Sequence, residues 1–106
     1  MGDTFVTDLR HFVDESGDWP HDIPVAALKL ARFLGSIVEW VTSHGDLEMQ
    51  TNVPCRRAPG RHPCRGDIFA RLEEDQATIR WECPSCGDNG YISGWQDTLC
   101  DRRRHG

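Results

Sequence analysis

The chain carries the sequence Cys83-Pro84-Ser85-Cys86-Gly87, in which two cysteines are separated by two residues. Proline stiffens such a turn, and glycine lets the backbone fold beneath a metal so that amide groups can bond to the thiolates. This spacing is typical of a zinc knuckle, a short turn that supplies two thiolates to one ion. It predicts a metal site in the C-terminal half of the chain.

A second pair of cysteines, Cys55 and Cys64, lies upstream and is separated by eight residues, which is wider than the usual two to four. Eighteen residues lie between Cys64 and Cys83, within the separation expected of two ligand pairs in one tetrahedral site. We therefore expect Cys55, Cys64, Cys83 and Cys86 to bind one structural Zn²⁺. A closed set of four thiolates leaves no position for water, so we expect no catalysis at the metal.

Other interpretations of the cysteines stay open. Four thiolates also suit iron, and His62 is a possible replacement for one cysteine ligand. A second alternative is that the cysteines are reduced thiols in the core. A third is that Cys83 and Cys86 form a disulfide or a redox dithiol. Cys100 has no partner at knuckle spacing and is interpreted as a spare thiol.

The residues between Cys64 and Cys83 predict a β-hairpin. Apolar and polar residues alternate over 68–72 and again over 78–82, and the polar run 73–76 between them suits a turn. A hairpin returns its ends to one place, so it would bring Cys64 and Cys83 together. A further short strand is predicted over 91–93, after a positive-φ turn at Asn89-Gly90. Trp81 is expected to be buried against a long helix.

The first half of the chain predicts helices. Apolar residues at three- and four-residue spacing indicate a short helix over about 4–15 and a long one over 24–44. The fold class is therefore α+β, with an N-terminal helical hairpin packed on a C-terminal zinc-ribbon-like antiparallel β sheet. We expect one folding unit, with a helical region over 1–48, a zinc-ribbon-like region over 49–100 and a disordered tail over 101–106.

Composition restricts the possible functions. The chain has 106 residues, which fits one domain, and a net charge of −5, which excludes a uniformly basic nucleic-acid binder. Residues 1–52 carry −6 and residues 53–106 carry +1. The sequence predicts neither an export signal nor a membrane span, so a cytoplasmic protein is expected. In a reducing compartment, paired cysteines more often hold metal than form disulfides.

Four segments carry a resemblance to known proteins. They are Phe33-Leu34-Gly35-Ser36-Ile37-Val38, Asn52-Val53-Pro54-Cys55-Arg56-Arg57, Trp81-Glu82-Cys83-Pro84 and Cys86-Gly87-Asp88-Asn89-Gly90-Tyr91-Ile92-Ser93-Gly94-Trp95. Together they resemble a family of small uncharacterised bacterial proteins with zinc-ribbon, rubredoxin-like knuckles. The resemblance implies a bacterial zinc protein and carries over no catalytic residue. Cys100 stands where these relatives have tryptophan, which argues against Cys100 as a ligand.

Three functions are compatible with these features. The first is a non-catalytic protein-interaction module, in which the long helix 24–44 contacts a partner protein or a second copy. The second is a nucleic-acid-binding zinc ribbon that grips phosphates with the arginine loop 56–65, and its expected contacts are Arg56, Arg57, Arg61 and Arg65. The third is an enzyme, either a dithiol oxidoreductase or a hydrolase built on Glu73, Glu74 and Asp75. We favour the first function, because no catalytic constellation is found and the acidic first half would repel a nucleic acid.

Overall fold

The computed structural model describes residues 4–44, 49–55 and 66–103, with the side chains of residues 49, 50 and 52 excepted. Its elements are β1 (Thr4–Asp8), a 3-10 turn (Leu9–Phe12), α1 (Val25–His44), β2 (Met49–Pro54), β3 (Asp67–Leu72), β4 (Ile79–Glu82) and β5 (Asn89–Ser93). The fold class is α+β, as predicted.

The five strands form one mixed sheet in the order β1-β5-β4-β3-β2. The pairs from β2 to β5 are antiparallel, whereas β1 lies parallel to β5 at one edge. The expectation of a purely antiparallel sheet is therefore wrong at this edge. The two edge strands, β1 and β2, both precede the β3–β4 hairpin in the chain. They therefore lie outside the segment between Cys64 and Cys83.

The helix predicted over 4–15 does not form, and the segment instead makes β1 and the 3-10 turn. Thr4, Val6 and Thr7 are β-branched and suit a strand, and β1 pairs with β5 along its whole length. Asp8 ends the strand by accepting a hydrogen bond from the Arg10 amide at 3.0 Å. Because α1 is the one α-helix in the described part of the chain, the predicted helical hairpin is not found there.

The long helix is confirmed, since α1 spans Val25–His44 and the prediction was 24–44. One face of α1 contacts β2, β3, β4 and the 3-10 turn. The buried residues of this face are Ala31, Leu34, Gly35, Ile37, Val38 and Val41. The apolar stripe read from the sequence is therefore covered by the protein's own sheet. Within the residues described, no helix is both long and apolar enough to cross a lipid bilayer.

The predicted hairpin is also confirmed, with Phe69 opposite Glu82 and Leu72 opposite Ile79. Its turn is organised by Asp75, whose carboxylate accepts hydrogen bonds from the amides of Ala77 and Thr78 at 2.9 and 2.8 Å. These backbone bonds, with one from the Thr78 hydroxyl, hold the pKa of Asp75 below its usual range. Asp75 thus has a structural role in a surface turn.

Trp81 is buried against α1, as predicted. Its side chain is 3% exposed, and its ring meets Phe33 of α1 edge to face with centroids 5.5 Å apart. Phe5 of β1 stacks on Trp81 at 6.1 Å, across Gly90. A Cβ at Gly90 would lie 2.7 Å from the Trp81 Nε1, so the glycine makes room for this aromatic pair.

Residues after β5 return across the sheet and α1. Trp95 is fully buried and donates a hydrogen bond from Nε1 to the Ala77 carbonyl at 2.8 Å. The Arg103 guanidinium lies 4.9 Å from the Trp95 ring centroid and pairs with Asp101 at 2.6 Å. The Arg102 amide donates to the Thr42 hydroxyl at 2.9 Å. Residues 101–103 therefore make defined contacts, in contrast to the expected disordered tail, and residues 104–106 lie outside the described part.

Cys100 packs into α1 at Gly35. The thiol is 1% exposed, and burial, with a contribution from Glu39, raises its pKa to about 11, so it is a neutral thiol at pH 7. A Cβ at position 35 would lie 2.6 Å from the Cys100 Sγ and 3.5 Å from the Trp19 ring. The C-terminal segment therefore packs directly on α1 at Gly35.

We expect Gly35→Val to lower the free energy of unfolding by about 2 kcal/mol, because overpacking a filled core costs roughly 1–3 kcal/mol. Urea denaturation measures the effect. The matched control is Ser36→Val, at the exposed neighbouring position of the same helix, with an expected loss below about 1 kcal/mol. Adding Cys100→Ala to Gly35→Val should recover part of the loss, since the two sites share one contact. Equal stability of the two valine variants would contradict this packing.

Candidate metal centre

Strand direction brings two of the predicted ligands to the same end of the sheet. β2 and β4 are both antiparallel to β3, so they run in the same direction. Cys55 follows the last residue of β2, and Cys83 follows the last residue of β4. Cys86 lies in the turn that joins β4 to β5. Three cysteines therefore meet where two strands end.

The sulfurs of Cys55, Cys83 and Cys86 lie within 4.8 Å of one another. The Sγ atoms of Cys55 and Cys86 are 3.7 Å apart. A tetrahedral zinc with Zn–S bonds of about 2.3 Å separates its sulfurs by about 3.8 Å. The spacing of these thiols therefore fits a single ion bound between them. Within the described residues, this is the one group of three or more potential ligands that lie so close together.

The turn over 83–88 has the hydrogen bonds of a knuckle. The Gly87 amide donates to the Cys83 carbonyl at 2.8 Å, and the Cys83 amide donates to the Asp88 carbonyl at 2.7 Å. Gly87 has a φ of +84°, a conformation that favours glycine. The tight turn expected at Gly87 is found, and its role beneath a metal stays a prediction. The predicted positive-φ turn at Asn89-Gly90 is wrong, because both residues belong to β5.

Gly66 is a site residue that the sequence reasoning missed. Its carbonyl accepts a hydrogen bond from the Cys55 amide at 2.9 Å. A Cβ at this position would lie 2.8 Å from the Cys83 Sγ and 2.5 Å from the Ser85 hydroxyl. Only a residue without a side chain fits here, so Gly66 brings the start of β3 directly against the thiol cluster. Gly66 comes two residues after Cys64 in the sequence.

The three thiols differ in burial. Cys83 is 1% exposed and Cys55 is 7% exposed, whereas Cys86 is half-buried in a turn whose other residues, Pro84 and Ser85, are exposed. The cluster is thus covered on the side of the sheet and the hydrophobic core. Cys86, in the turn, is the most exposed of the three cysteines.

Several predicted residues lie outside the described part of the chain. These are Cys64, the alternative ligand His62, and the four loop arginines Arg56, Arg57, Arg61 and Arg65. Cys100 does not belong to the thiol cluster and contacts α1. Glu73, Glu74 and Asp75 lie between β3 and β4, at the opposite end of the hairpin from Cys83.

Comparisons with known proteins gave no match, whether with family models, curated proteins or solved structures.

Proposed function

We propose that this chain is a small bacterial protein with one structural Zn²⁺, which acts as a non-catalytic protein-interaction module. The observation that carries the proposal is the convergence of the Cys55, Cys83 and Cys86 sulfurs within 4.8 Å. Reduced thiols in a core have no reason to lie so close together, and a redox dithiol needs only two thiols. A third thiol, at 3.7 Å from Cys86, favours a metal.

Cys64 is the proposed fourth ligand. It lies two residues before Gly66, and Gly66 contacts the Cys83 sulfur and the Cys55 amide. The chain therefore returns to the cluster directly after Cys64. Four thiolates would close the coordination sphere, and a closed site supplies stability and leaves no position for a substrate. When bound, the ion would link β2, the start of β3 and the knuckle after β4.

The interaction role is assigned to the long helix. The apolar stripe of α1 is covered by the sheet, so a partner protein or a second copy would contact the outer side of the helix. Val25 supports this assignment, because it is a large apolar residue at the start of α1 and is 70% exposed. Light scattering coupled to gel filtration distinguishes a homodimer from a monomer that uses a different protein.

We expect freshly purified protein to contain about one equivalent of zinc, because four thiolates bind one ion. Iron should be below about one tenth of an equivalent. Inductively coupled plasma mass spectrometry measures both metals. Cys100→Ser should keep the full zinc content, because Cys100 lies outside the cluster. Less than half an equivalent of any metal in the parent protein, with every thiol open to titration, would overturn the proposal.

A further inference from the structure

Cys86 is the most exposed of the three clustered cysteines. Cys83 and Cys55 are 1% and 7% exposed, whereas Cys86 is half-buried and lies beside exposed residues. Oxidation of cysteine by peroxides follows thiolate character and access. Among these three, an oxidant that diffuses from solvent therefore meets the Cys86 sulfur first.

Cys55 is in place to react with an oxidised Cys86. The two sulfurs are 3.7 Å apart, and a disulfide needs about 2.05 Å, so they must approach by about 1.7 Å. Cys55 continues directly from β2, while Cys86 lies in a turn at the surface. Movement of the turn is therefore sufficient for this approach.

Cys83 is held more firmly than Cys86. Its amide and carbonyl both make backbone hydrogen bonds, to Asp88 and Gly87 respectively. Its sulfur packs against Gly66, where a Cβ would lie 2.8 Å away. Cys83 is thus fixed in place, and the Cys55–Cys86 sulfur distance of 3.7 Å is what favours Cys55 as the partner.

We propose that Cys86 is a site of oxidation by hydrogen peroxide and that Cys55 resolves it, forming a Cys55–Cys86 disulfide. The release of zinc that accompanies this step rests on the proposed function.

The reaction balances in two steps. The Cys86 thiolate attacks one oxygen of hydrogen peroxide, the O–O bond breaks, and the leaving hydroxide takes a proton to form water, so Cys86 becomes a sulfenic acid. The Cys55 thiolate then attacks the Cys86 sulfur, the S–S bond forms and the S–O bond breaks. The second hydroxide also takes a proton and leaves as water. Two electrons pass from the two thiolates to one peroxide.

The test treats the full-length, zinc-loaded protein with equimolar hydrogen peroxide. A chromogenic chelator follows zinc release, and N-ethylmaleimide then blocks the remaining thiols before trypsin digestion and tandem mass spectrometry. Trypsin separates Cys55 from Cys64, because Arg56, Arg57 and Arg61 lie between them. We expect one disulfide that joins Cys55 to Cys86, one zinc released per disulfide, and Cys64, Cys83 and Cys100 recovered as blocked thiols.

A matched variant isolates the resolving step. In Cys55→Ser, treated with peroxide and dimedone, Cys86 should carry the sulfenic-acid adduct and no disulfide to position 55 can form. Cys100→Ala should oxidise like the parent chain, since Cys100 packs on α1 and its pKa is raised. If Cys55→Ser fails to fold, disulfide mapping of the parent chain decides the question alone.

A Cys83–Cys86 disulfide, a disulfide to Cys64, or retention of zinc and all thiols at a tenfold excess of peroxide would overturn the oxidation proposal. These outcomes are distinguishable from failure of the proposed function. A purified protein without metal that still forms the Cys55–Cys86 disulfide would refute the zinc assignment and support the oxidation site. A zinc protein that resists peroxide would do the reverse.

Discussion

Cys83→Ser is expected to lose the bound zinc and the cooperative fold together. Cys83 is the most buried of the clustered thiols, at 1% exposed, and it continues directly from β4, the strand between β3 and β5. Binding of a structural zinc contributes on the order of 10 kcal/mol or more in small peptides, and the whole stability of an ordinary domain is about 5–15 kcal/mol. The contribution of the ion is therefore comparable to the whole stability of the domain, and we expect the fold to be lost with it.

Zinc content and urea denaturation followed by circular dichroism measure the two effects on the same sample. Cys100→Ser is the matched control, because it makes the same substitution at a cysteine outside the cluster. We expect this control to keep one zinc, although a hydroxyl in a buried position costs about 1–3 kcal/mol of stability. A Cys83→Ser protein that retains a full equivalent of zinc would mean that the ligand set is wrong.

Trp81→Ala is expected to lower the free energy of unfolding by about 3–5 kcal/mol, the usual cost of removing a large aromatic side chain from a core. Trp81 contacts Phe33 of α1 on one side and Phe5 of β1 on the other. It therefore joins three separate segments of the chain. Urea denaturation of the zinc-loaded protein measures the loss.

Two further variants sharpen this second expectation. Tyr91→Ala removes an aromatic side chain that is 38% exposed from a neighbouring strand, and it should cost less than about 1.5 kcal/mol. Trp81→Phe should cost much less than Trp81→Ala, because Trp81 Nε1 has no hydrogen-bond partner in the described structure and phenylalanine keeps an aromatic ring beside Phe33. If Trp81→Ala and Tyr91→Ala are equally stable, Trp81 does not organise the core.

The elements that the sequence predicted correctly depend on local patterns. The stripe of α1 has the helical period over 20 residues, the β3–β4 hairpin has alternating residues around a polar turn, and Gly87 follows a CxxC pair. In each case, the residues that decide the structure are close together in sequence. Sequence periodicity and turn chemistry are therefore sufficient to find them.

β1 was missed because its structure depends on distant residues. Phe5, Leu9 and Phe12 have helical spacing, yet Phe5 packs on Trp81 across Gly90, and the strand pairs with β5 more than 80 residues later, since Thr4 lies opposite Asn89. Only the β-branched residues of this segment indicate a strand. When a short segment has both helical spacing and β-branched residues, pairing with another strand decides which structure it adopts.

Gly66 was missed although the sequence contains a signal for it. Each proposed knuckle is followed by a glycine, since Gly87 comes directly after Cys86 and Gly66 comes two residues after Cys64. The glycine after Cys86 was expected to give the backbone freedom in this turn, and Gly87 has a φ of +84°. Applying the same reasoning to Cys64 identifies Gly66 as the position where the chain must approach the thiols without a side chain.

The measurement that tests the metal site most directly is zinc K-edge X-ray absorption on the protein as purified. We expect a first shell of four sulfurs at about 2.3 Å, which is the Zn–S distance of a closed tetrahedral thiolate site. Cys64 is the proposed fourth ligand beside Cys55, Cys83 and Cys86. In the Cys64→Ser variant, the number of sulfur ligands should therefore fall to three, or the zinc should be lost. A first shell with two or three sulfurs and several oxygen or nitrogen ligands in the parent protein would contradict the structural four-cysteine site.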